Sequence, residues 1–280
     1  MKKFFSKFYV ALVLLFMYIP IFVLIAFSFN ESKGRSWTGF SFKWYGELFH
    51  DRTILGSLGN TVIIAIIASL LATVLGTFAA IGIHNMKRST RSLVKNINSL
   101  PLINPEIVTG ISLMILFSFC RIGRGFLTMI LAHITFCVPT VVLSVLPKIR
   151  QINKSIYEAA LDLGCNERQA FFKVILPEIM PGIISGFLMS LTYSMDDFVI
   201  SYFTSGPQSQ TLPIVIHSIT RKPMTPKLNA LSTLIFLLVL LVLLVSNIKS
   251  SHDEKKKKLR EKAVWSENSL EKQGGSFTQK

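Results

Sequence analysis

Long apolar stretches with almost no charged residues constrain the fold of this 280-residue chain more than any other feature. Half of the residues are hydrophobic, and they are concentrated in continuous blocks. A soluble domain of similar length would spread its apolar residues with the period of amphipathic helices or strands. Because an apolar block of ~18 or more residues crosses the ~30 Å hydrocarbon layer as a helix, the pattern predicts an all-α membrane protein.

Six such blocks divide the chain, and each one predicts a transmembrane helix. They are Tyr9–Phe29, Thr61–Ile83, Ile97–Phe119, Phe126–Leu146, Ile179–Phe203 and Leu228–Ile248. The first is longer than the ~7–15 residues of a signal-peptide core, so we interpret it as an uncleaved helix. Asn60 is the predicted N-cap of the second helix. The expected organisation is a basic N-terminus at 1–8, a six-helix membrane domain at 9–248 and a basic, disordered tail at 249–280.

The basic residues indicate how these helices are oriented. Of the 30 Lys and Arg residues, 21 lie in the N-terminus, the loop 84–99, the segment 147–178 and the tail from Lys249, and 9 lie in the other connections. Cytoplasmic loops of membrane proteins carry the excess of Lys and Arg. The prediction is therefore a multi-pass protein with both ends in the cytoplasm.

The net charge of +15 raises the question of a nucleic-acid partner. A nucleic-acid-binding surface clusters its basic residues on one face, whereas these charges lie between apolar blocks and in the tail, so no such partner is expected. The tail is instead expected to lie near anionic membrane lipid. Cys120, Cys137 and Cys165 lack the spacing of a disulfide framework or a zinc site, so no metal is expected.

Prolines lie inside the third and fourth apolar blocks. Pro101 and Pro105 lie in the third, and Pro139 lies in the fourth. A proline removes a backbone donor, and a membrane helix tolerates this where a neighbouring helix or water satisfies the freed carbonyl. Two interpretations stay open: these helices line a cavity, or their kinks only fit the packing of the bundle.

The segment from Ile156 to Pro177 has a helical pattern unlike that of an ordinary loop. Apolar side chains recur at i, i+3, i+4 and i+7, which places them on one helical face. They are Ile156, Ala159, Ala160 and Leu163. Gly164 is expected to end this helix, because glycine adopts backbone angles that other residues avoid. A second short helix is predicted at Glu167–Ile175, with Pro177 as its end.

This segment resembles the EAA motif of ABC importer permeases, which has the spacing EAA-x3-G-x9-I-x-LP. The matching residues are Glu158, Ala159, Ala160, Gly164, Leu176 and Pro177. Val174 stands in place of the isoleucine. The resemblance implies a type I ABC importer permease fold, with cytoplasmic coupling helices in which these residues dock on an ATPase. The competing interpretation is an amphipathic helix that lies on the bilayer surface.

Other stretches resemble the PotC-type permeases of spermidine and putrescine importers. They are 104–113, 193–200, 212–214 and 229–233. The resemblance implies a bacterial inner-membrane protein that works with an ATP-binding subunit dimer, a second, PotB-like permease subunit and an extracellular solute-binding protein. The chain has no P-loop motif, so ATP and Mg are expected on the partner ATPase and no cofactor is expected on this chain.

Three carboxylates lie within the predicted spans. They are Glu106, Asp196 and Asp197. A charged group at the centre of a membrane helix costs ~2.5–3.5 kcal/mol even on permissive scales, so it marks a pathway or a partner. A polar stripe on the fifth helix is predicted from Ser190, Tyr193, Asp197 and Ser201, with Asp196 about 100° away around the helix. Carboxylates beside Tyr193 suit the ammonium groups of a polyamine. Alternatively, these side chains organise helix packing.

Other functions compete with a polyamine permease. An intramembrane aspartyl protease needs two carboxylates about 3 Å apart, and adjacent residues on one helix diverge, so no catalytic residue is predicted. An ABC permease for another small solute stays open, as does a secondary transporter that uses Asp196 and Asp197. The secondary transporter leaves the EAA segment unexplained, and dependence of uptake on ATP separates it from an ABC permease.

Overall fold

The computed structural model describes residues 2–34, 36–221, 226–237 and 240. Within this part of the chain the backbone is helical, apart from connecting loops and an isolated bridge between Asn30 and Phe40. The described residues of Phe49–Lys222 form one compact unit, and those of Met1–Leu48 and Pro223–Lys280 form a second. The described chain therefore confirms the all-α class that the apolar blocks predict.

The helices of the described residues are numbered in chain order. They are α1 (Lys2–Ser28), α2 (Lys43–His50), α3 (Arg52–Asn85), α4 (Arg88–Ile103), α5 (Glu106–Phe119), α6 (Phe126–Gln151), α7 (Lys154–Asp162), α8 (Glu167–Ala170), α9 (Leu176–Asp196), α10 (Val199–Thr204), α11 (Leu212–Thr220) and α12 (226–237). A π-helical turn, Phe171–Ile175, joins α8 to α9.

Four helices of the described residues are long and apolar enough to cross a membrane. They are Lys7–Ser28, Arg52–Asn85, Phe126–Gln151 and Glu167–Asp196. These helices overlap the first, second, fourth and fifth predicted spans. Of the sixth predicted span, α12 covers only the beginning, and the tail at 249–280 lies outside the described residues. The described chain confirms a multi-span protein without reaching the predicted count of six.

The third predicted span is not one helix. The apolar block Ile97–Phe119 is divided between α4 and α5, which are bent by 102° at their junction. Pro105 explains the break, because a proline disfavours helical angles in the residue before it. Asn104 is accordingly extended, with φ −70° and ψ 144°. Pro101, by contrast, stays inside α4.

Two local predictions around α3 are also wrong. The helix begins before Asn60, and its N-cap is Asp51, whose carboxylate accepts the backbone N–H groups of Thr53 and Ile54 at 2.9 and 3.3 Å. Asn60 lies inside the helix and donates to the carbonyl oxygen of Gln210 at 3.0 Å. The predicted loop 84–99 is largely helical as well, because α4 starts at Arg88.

Close packing among α3, α6 and α9 forms the core of the larger unit. A Cβ atom at Gly182 would lie 2.8 Å from Cγ of Lys148, and one at Gly186 would lie 3.2 Å from Cα of Val141. Small residues at these positions let the helix backbones approach closely, as is common in membrane bundles. The buried residues of this core are Ala80, Ile83, Val141, Val142, Val145, Leu146, Ile149 and Ile179.

The smaller unit contains α1 and a compact aromatic turn after it. The apolar side chains along α1 are largely exposed, as expected for a helix surrounded by lipid. After the helix, the indole nitrogen of Trp44 donates to the carbonyl oxygen of Asn30 at 2.7 Å. The rings of Phe29 and Phe40 stack with their centroids 5.1 Å apart. These contacts fold the chain back on itself directly beyond the first span.

Candidate functional site

A cavity of about 370 Å³ lies where the two helix breaks of the larger unit meet. Its lining residues are Pro101, Leu102, Asn104, Glu106, Phe136, Tyr193, Asp196, Asp197, Phe198, Val199 and Ile200. They come from the α4–α5 junction, from α6 and from the α9–α10 junction. The structure therefore brings together all four residues that the sequence analysis assigned to a solute pathway, although they are up to 91 positions apart in sequence (Glu106 to Asp197).

The wall that carries the two aspartates is a broken helix. The prediction of one continuous span over Ile179–Phe203 is wrong, since α9 ends at Asp196 and α10 begins at Val199. The predicted polar stripe is also wrong, because the break between α9 and α10 interrupts it. Ser190 is fully buried, while Tyr193 is 51% exposed, so the two do not share an environment.

The two neighbouring aspartates have different surroundings. The Asp197 carboxylate accepts the backbone N–H groups of Ile200 at 3.3 Å and Ser201 at 2.7 Å, and its side chain is only 5% exposed. Asp197 therefore caps the start of α10, where the first N–H groups of a helix have no helical partner. Asp196 is exposed and lines the cavity. Of the pair, Asp196 presents its side chain to the cavity, and Asp197 mainly holds the backbone.

Glu106 and Tyr193 complete the polar part of the cavity. Glu106 is exposed and lies in the first turn of α5, directly after the bend at Pro105. A carboxylate at a helix N-terminus interacts favourably with the helix dipole. Tyr193 offers an exposed ring and hydroxyl on the last turns of α9. The cavity thus combines negative charge with an aromatic face.

His133 is the residue of this site that the sequence analysis missed. It is fully buried on α6, and its Nδ1 lies 2.6 Å from Oγ of Ser194. Its Nε2 lies 3.0 Å from Oγ of Ser201 and 3.6 Å from Oδ2 of Asp197. The available signal was a histidine inside an apolar span, because ionisable residues of any type are rare there. The sequence analysis applied that rule to carboxylates alone.

The segment with the EAA motif forms a second candidate site. α7 ends in a glycine turn, as predicted: Gly164 has φ +87°, and its N–H donates to the carbonyl oxygen of Leu161 at 2.9 Å. The N–H of Cys165 donates to the carbonyl oxygen of Ala160 at 3.1 Å. This pair of bonds is the Schellman motif, which closes a helix end with a left-handed residue.

Pro177 does not end the second helix of this segment. The chain continues as one helix from Glu167 to Asp196, and Pro177 lies in the first turn of α9. Before it, the π-helical turn Phe171–Ile175 shifts the hydrogen-bond register, with the N–H of Leu176 donating to the carbonyl oxygen of Phe171. A proline is tolerated where its missing N–H has no regular helical partner. The predicted short helix is therefore the first part of a long one.

The described part of the chain leaves most of the predicted apolar face of α7 uncovered. Leu163 is 87% exposed and Ile156 is 50% exposed, while Ala160 alone among the four residues of this face is buried. Glu158 and Ala159 are exposed beside them. These exposed apolar and charged side chains form a candidate interaction surface on a short, locally stabilised helix. Among the described residues, no group of three or more His, Cys, Asp or Glu side chains is placed to hold a metal ion.

Comparison with known proteins identifies the family of this chain. Residues 72–257 match the profile of the family described as binding-protein-dependent transport system inner membrane component. The chain is 42% identical over 229 residues to the putrescine transport system permease protein PotI of Escherichia coli (strain K12), a match that spans 79% of this chain and 81% of that protein. It is 37% identical over 237 residues to the spermidine/putrescine transport system permease protein PotC of Haemophilus influenzae, spanning 84% and 92%.

Solved structures share the fold at low sequence identity. A chain of a bacterial ABC transporter involved in the import of the acidic polysaccharide alginate superposes with a TM-score of 0.68 at 14% identity, covering 88% of this chain and 95% of that one. A second structure of an alginate ABC transporter, in complex with its periplasmic protein bound to an alginate pentasaccharide, gives a TM-score of 0.66 at 16% identity, covering 87% and 92%. The described fold is thus that of an ABC importer permease.

Proposed function

Because the chain belongs to the family of binding-protein-dependent transport system inner membrane components, we propose that it is the permease subunit of an ATP-driven polyamine importer. Family membership makes the protein a multi-pass component of the inner membrane and a transport subunit rather than an enzyme. Its relatives PotI and PotC are permeases for putrescine and spermidine, which supports the same class of solute here.

The acidic cavity is the observation that carries the polyamine assignment. Asp196 and Glu106 are exposed at its wall, and Tyr193 lies beside them. Ammonium groups form charge-assisted hydrogen bonds with carboxylates and are attracted to aromatic faces. An acid-lined cavity would repel a polyanion such as alginate, although the alginate permease has the same fold. The cavity and the sequence relatives therefore support a polyamine as the solute, whereas the fold alone does not distinguish between solutes.

Putrescine uptake by the complete importer in proteoliposomes tests this assignment. Asp196→Asn keeps the shape of the side chain and removes its charge, so uptake should fall by about tenfold or more, the usual loss for a charge-assisted hydrogen bond. The matched control is Glu47→Gln, which removes one carboxylate from a surface pair with Lys43 at 3.9 Å. Such pairs contribute little, so the control should transport normally. Equal uptake by the two variants would contradict a charged polyamine pathway.

Coupling to ATP hydrolysis is proposed to run through the segment 156–177. Its exposed apolar face would dock on an ATP-binding subunit dimer, which would hold ATP and Mg, since this chain has no P-loop motif. The contact residues would be Glu158, Ala159, Ala160, Gly164, Leu176 and Pro177. A second, PotB-like permease subunit and an extracellular solute-binding protein would complete the importer. Uptake into vesicles that does not depend on ATP would instead indicate a secondary transporter.

Both chain ends are proposed to lie in the cytoplasm. The excess of basic residues supports a position inside for Arg88 and the segment 156–177, and a position outside for Trp37 and Lys43. Single cysteines at these positions, in a chain whose three native cysteines are replaced, should react with an impermeant thiol reagent in sealed cells only at positions 37 and 43. Labelling at position 88 in sealed cells would overturn this topology. The basic tail would then lie at the inner surface, near anionic lipid.

A further inference from the structure

We propose that His133 is a positioning residue of the solute pathway, and that it holds the broken fifth span in the shape that presents Asp196 to the cavity. The proposal rests on the proposed function, because it concerns the same acidic wall. His133 itself is fully buried and is not among the residues that line the cavity. Its effect on a solute therefore passes through the residues that it holds.

The histidine ring makes two hydrogen bonds, one on each side of the break. Ser194 belongs to α9 and Ser201 belongs to α10, so the ring contacts both sides of the break at Asp196–Phe198. The two serines are 61 and 68 positions from His133 in sequence, so both contacts are tertiary. One ring on α6 thus bridges the two segments.

The short second segment needs this support. α10 is a helix of six residues, too short to be stable by itself in the absence of tertiary contacts. It also packs against α5, where a Cβ atom at Gly110 would lie 2.9 Å from Cδ2 of Phe203. Because α5 carries Glu106 in its first turn, the position of α10 sets the separation of the carboxylates on the two sides of the cavity.

The protonation pattern of the ring follows from its neighbours. Oδ2 of Asp197 lies 3.6 Å from Nε2, and a carboxylate there favours the neutral tautomer with its proton on Nε2. Nε2–H then donates to Oγ of Ser201, and Nδ1 accepts the hydroxyl proton of Ser194. An asparagine at position 133 can reach only the place of Nδ1, whereas a glutamine can reach the place of Nε2. Asparagine therefore keeps the bond to Ser194 on α9, and glutamine keeps the bond to Ser201 on α10.

The test measures how many putrescine molecules enter per ATP hydrolysed, in proteoliposomes that contain the complete importer with its binding protein. His133→Asn should lower this ratio about tenfold, because the Ser201 hydroxyl and the Asp197 carboxylate lose a buried donor. His133→Gln should keep the ratio within about twofold, since it restores that donor. ATP hydrolysis stimulated by the binding protein should continue in both variants, because the coupling segment is unchanged.

A pair of serine variants keeps the test meaningful if changes at position 133 reduce the amount of protein. Ser201→Ala should lower the ratio as His133→Asn does. Its matched control is Ser190→Ala, a buried serine on α9 whose hydroxyl contacts the carbonyl oxygen of Cys137 at 3.4 Å and lies outside this network. The control should retain the normal ratio. Equal ratios in Ser201→Ala and Ser190→Ala would overturn the proposal.

The outcomes for Asp196 separate this proposal from the proposed function. If Asp196→Asn lowers the ratio and His133→Asn leaves it normal, the positioning role is wrong and the polyamine pathway stands. If Asp196→Asn itself transports normally, the charged pathway is wrong. Equal losses in His133→Asn and His133→Gln, in step with the amount of folded protein, would show that the ring only fills space and would overturn the positioning role.

Discussion

The two ends of the long helix from Glu167 to Asp196 are stabilised in different ways. At the first end, the α7–α8 turn is closed by bonds between near neighbours: the Schellman bonds at Gly164 and a capping box between Asn166 and Gln169. At the second end, the break after Asp196 is held by His133, more than 60 positions away in sequence. Bonds between near neighbours thus stabilise the segment that is proposed to bind a partner. Contacts between residues distant in sequence hold the wall of the cavity.

Exposure follows the same division. The segment 156–177, which is proposed to couple to the ATPase, exposes Leu163 and Ile156. At the other end, Ser194, Ser201 and His133 are almost fully buried. Substitutions on the exposed face should therefore change association with a partner and leave stability alone. Substitutions in the buried network should change stability and transport together, because buried polar groups left without partners are costly.

The largest effect is expected at the turn of the coupling segment. Gly164 has φ +87°, and an added Cβ atom would meet nothing within 4 Å, so the strain of Gly164→Val lies in the backbone rather than in a clash. A β-branched residue held at a left-handed backbone angle destabilises the folded state by about 1–2 kcal/mol, or else the turn rearranges. Uptake should be abolished while insertion into the membrane is normal, and copurification of the ATPase should be reduced.

Gly164→Asn is the matched control for that variant, because asparagine adopts left-handed angles more readily than other residues with a side chain. It should retain a substantial part of the uptake. Normal transport by a well-expressed Gly164→Val protein would show that the turn has no role in coupling.

An intermediate effect is expected on the exposed face of α7. Leu163→Ser removes an 87% exposed apolar side chain that is proposed to be buried against the ATPase. Burial of a leucine contributes about 1.5–3 kcal/mol, so the affinity for the ATPase should fall at least about tenfold. The melting temperature of the isolated permease in detergent should not change. A lower melting temperature with unaltered affinity would indicate that the leucine serves the fold of this chain.

The smallest effect is expected at the cap of α10. Asp197→Ala removes the acceptor for the N–H groups of Ile200 and Ser201, and the loss of such a cap destabilises by about 0.5–2 kcal/mol. Asp197→Asn keeps an acceptor and should unfold close to the wild type, because asparagine caps about as well as aspartate. Thermal unfolding in detergent, followed by circular dichroism, distinguishes the two. Identical melting temperatures would mean that Asp197 is not a structural cap, and its charge would then belong to the pathway.

Local signals in the sequence were sufficient for several features of the structure. The apolar blocks predicted the helices that α1, α3, α6 and α9 provide, because a membrane helix satisfies its backbone within one continuous segment. The end of α7 at Gly164 was also predictable, since the left-handed turn needs a glycine whatever surrounds it. Glu106, Asp196 and Asp197 were recognisable as candidates from their charge alone, because carboxylates are rare in apolar blocks.

The tertiary structure alone decided how the helices break and what the breaks enclose. Pro105 indicated an interruption, but the 102° bend between α4 and α5 depends on the helices packed around it. No proline or glycine marks the break at Asp196–Phe198, and a helical period therefore ran straight through it in the sequence. At the break, the Asp197 carboxylate caps α10 locally, and the ring of His133 bonds the side chains of Ser194 and Ser201 from 61 and 68 positions away. Partners so distant in sequence become neighbours only after α6 and α9 have packed, so a local pattern does not contain them.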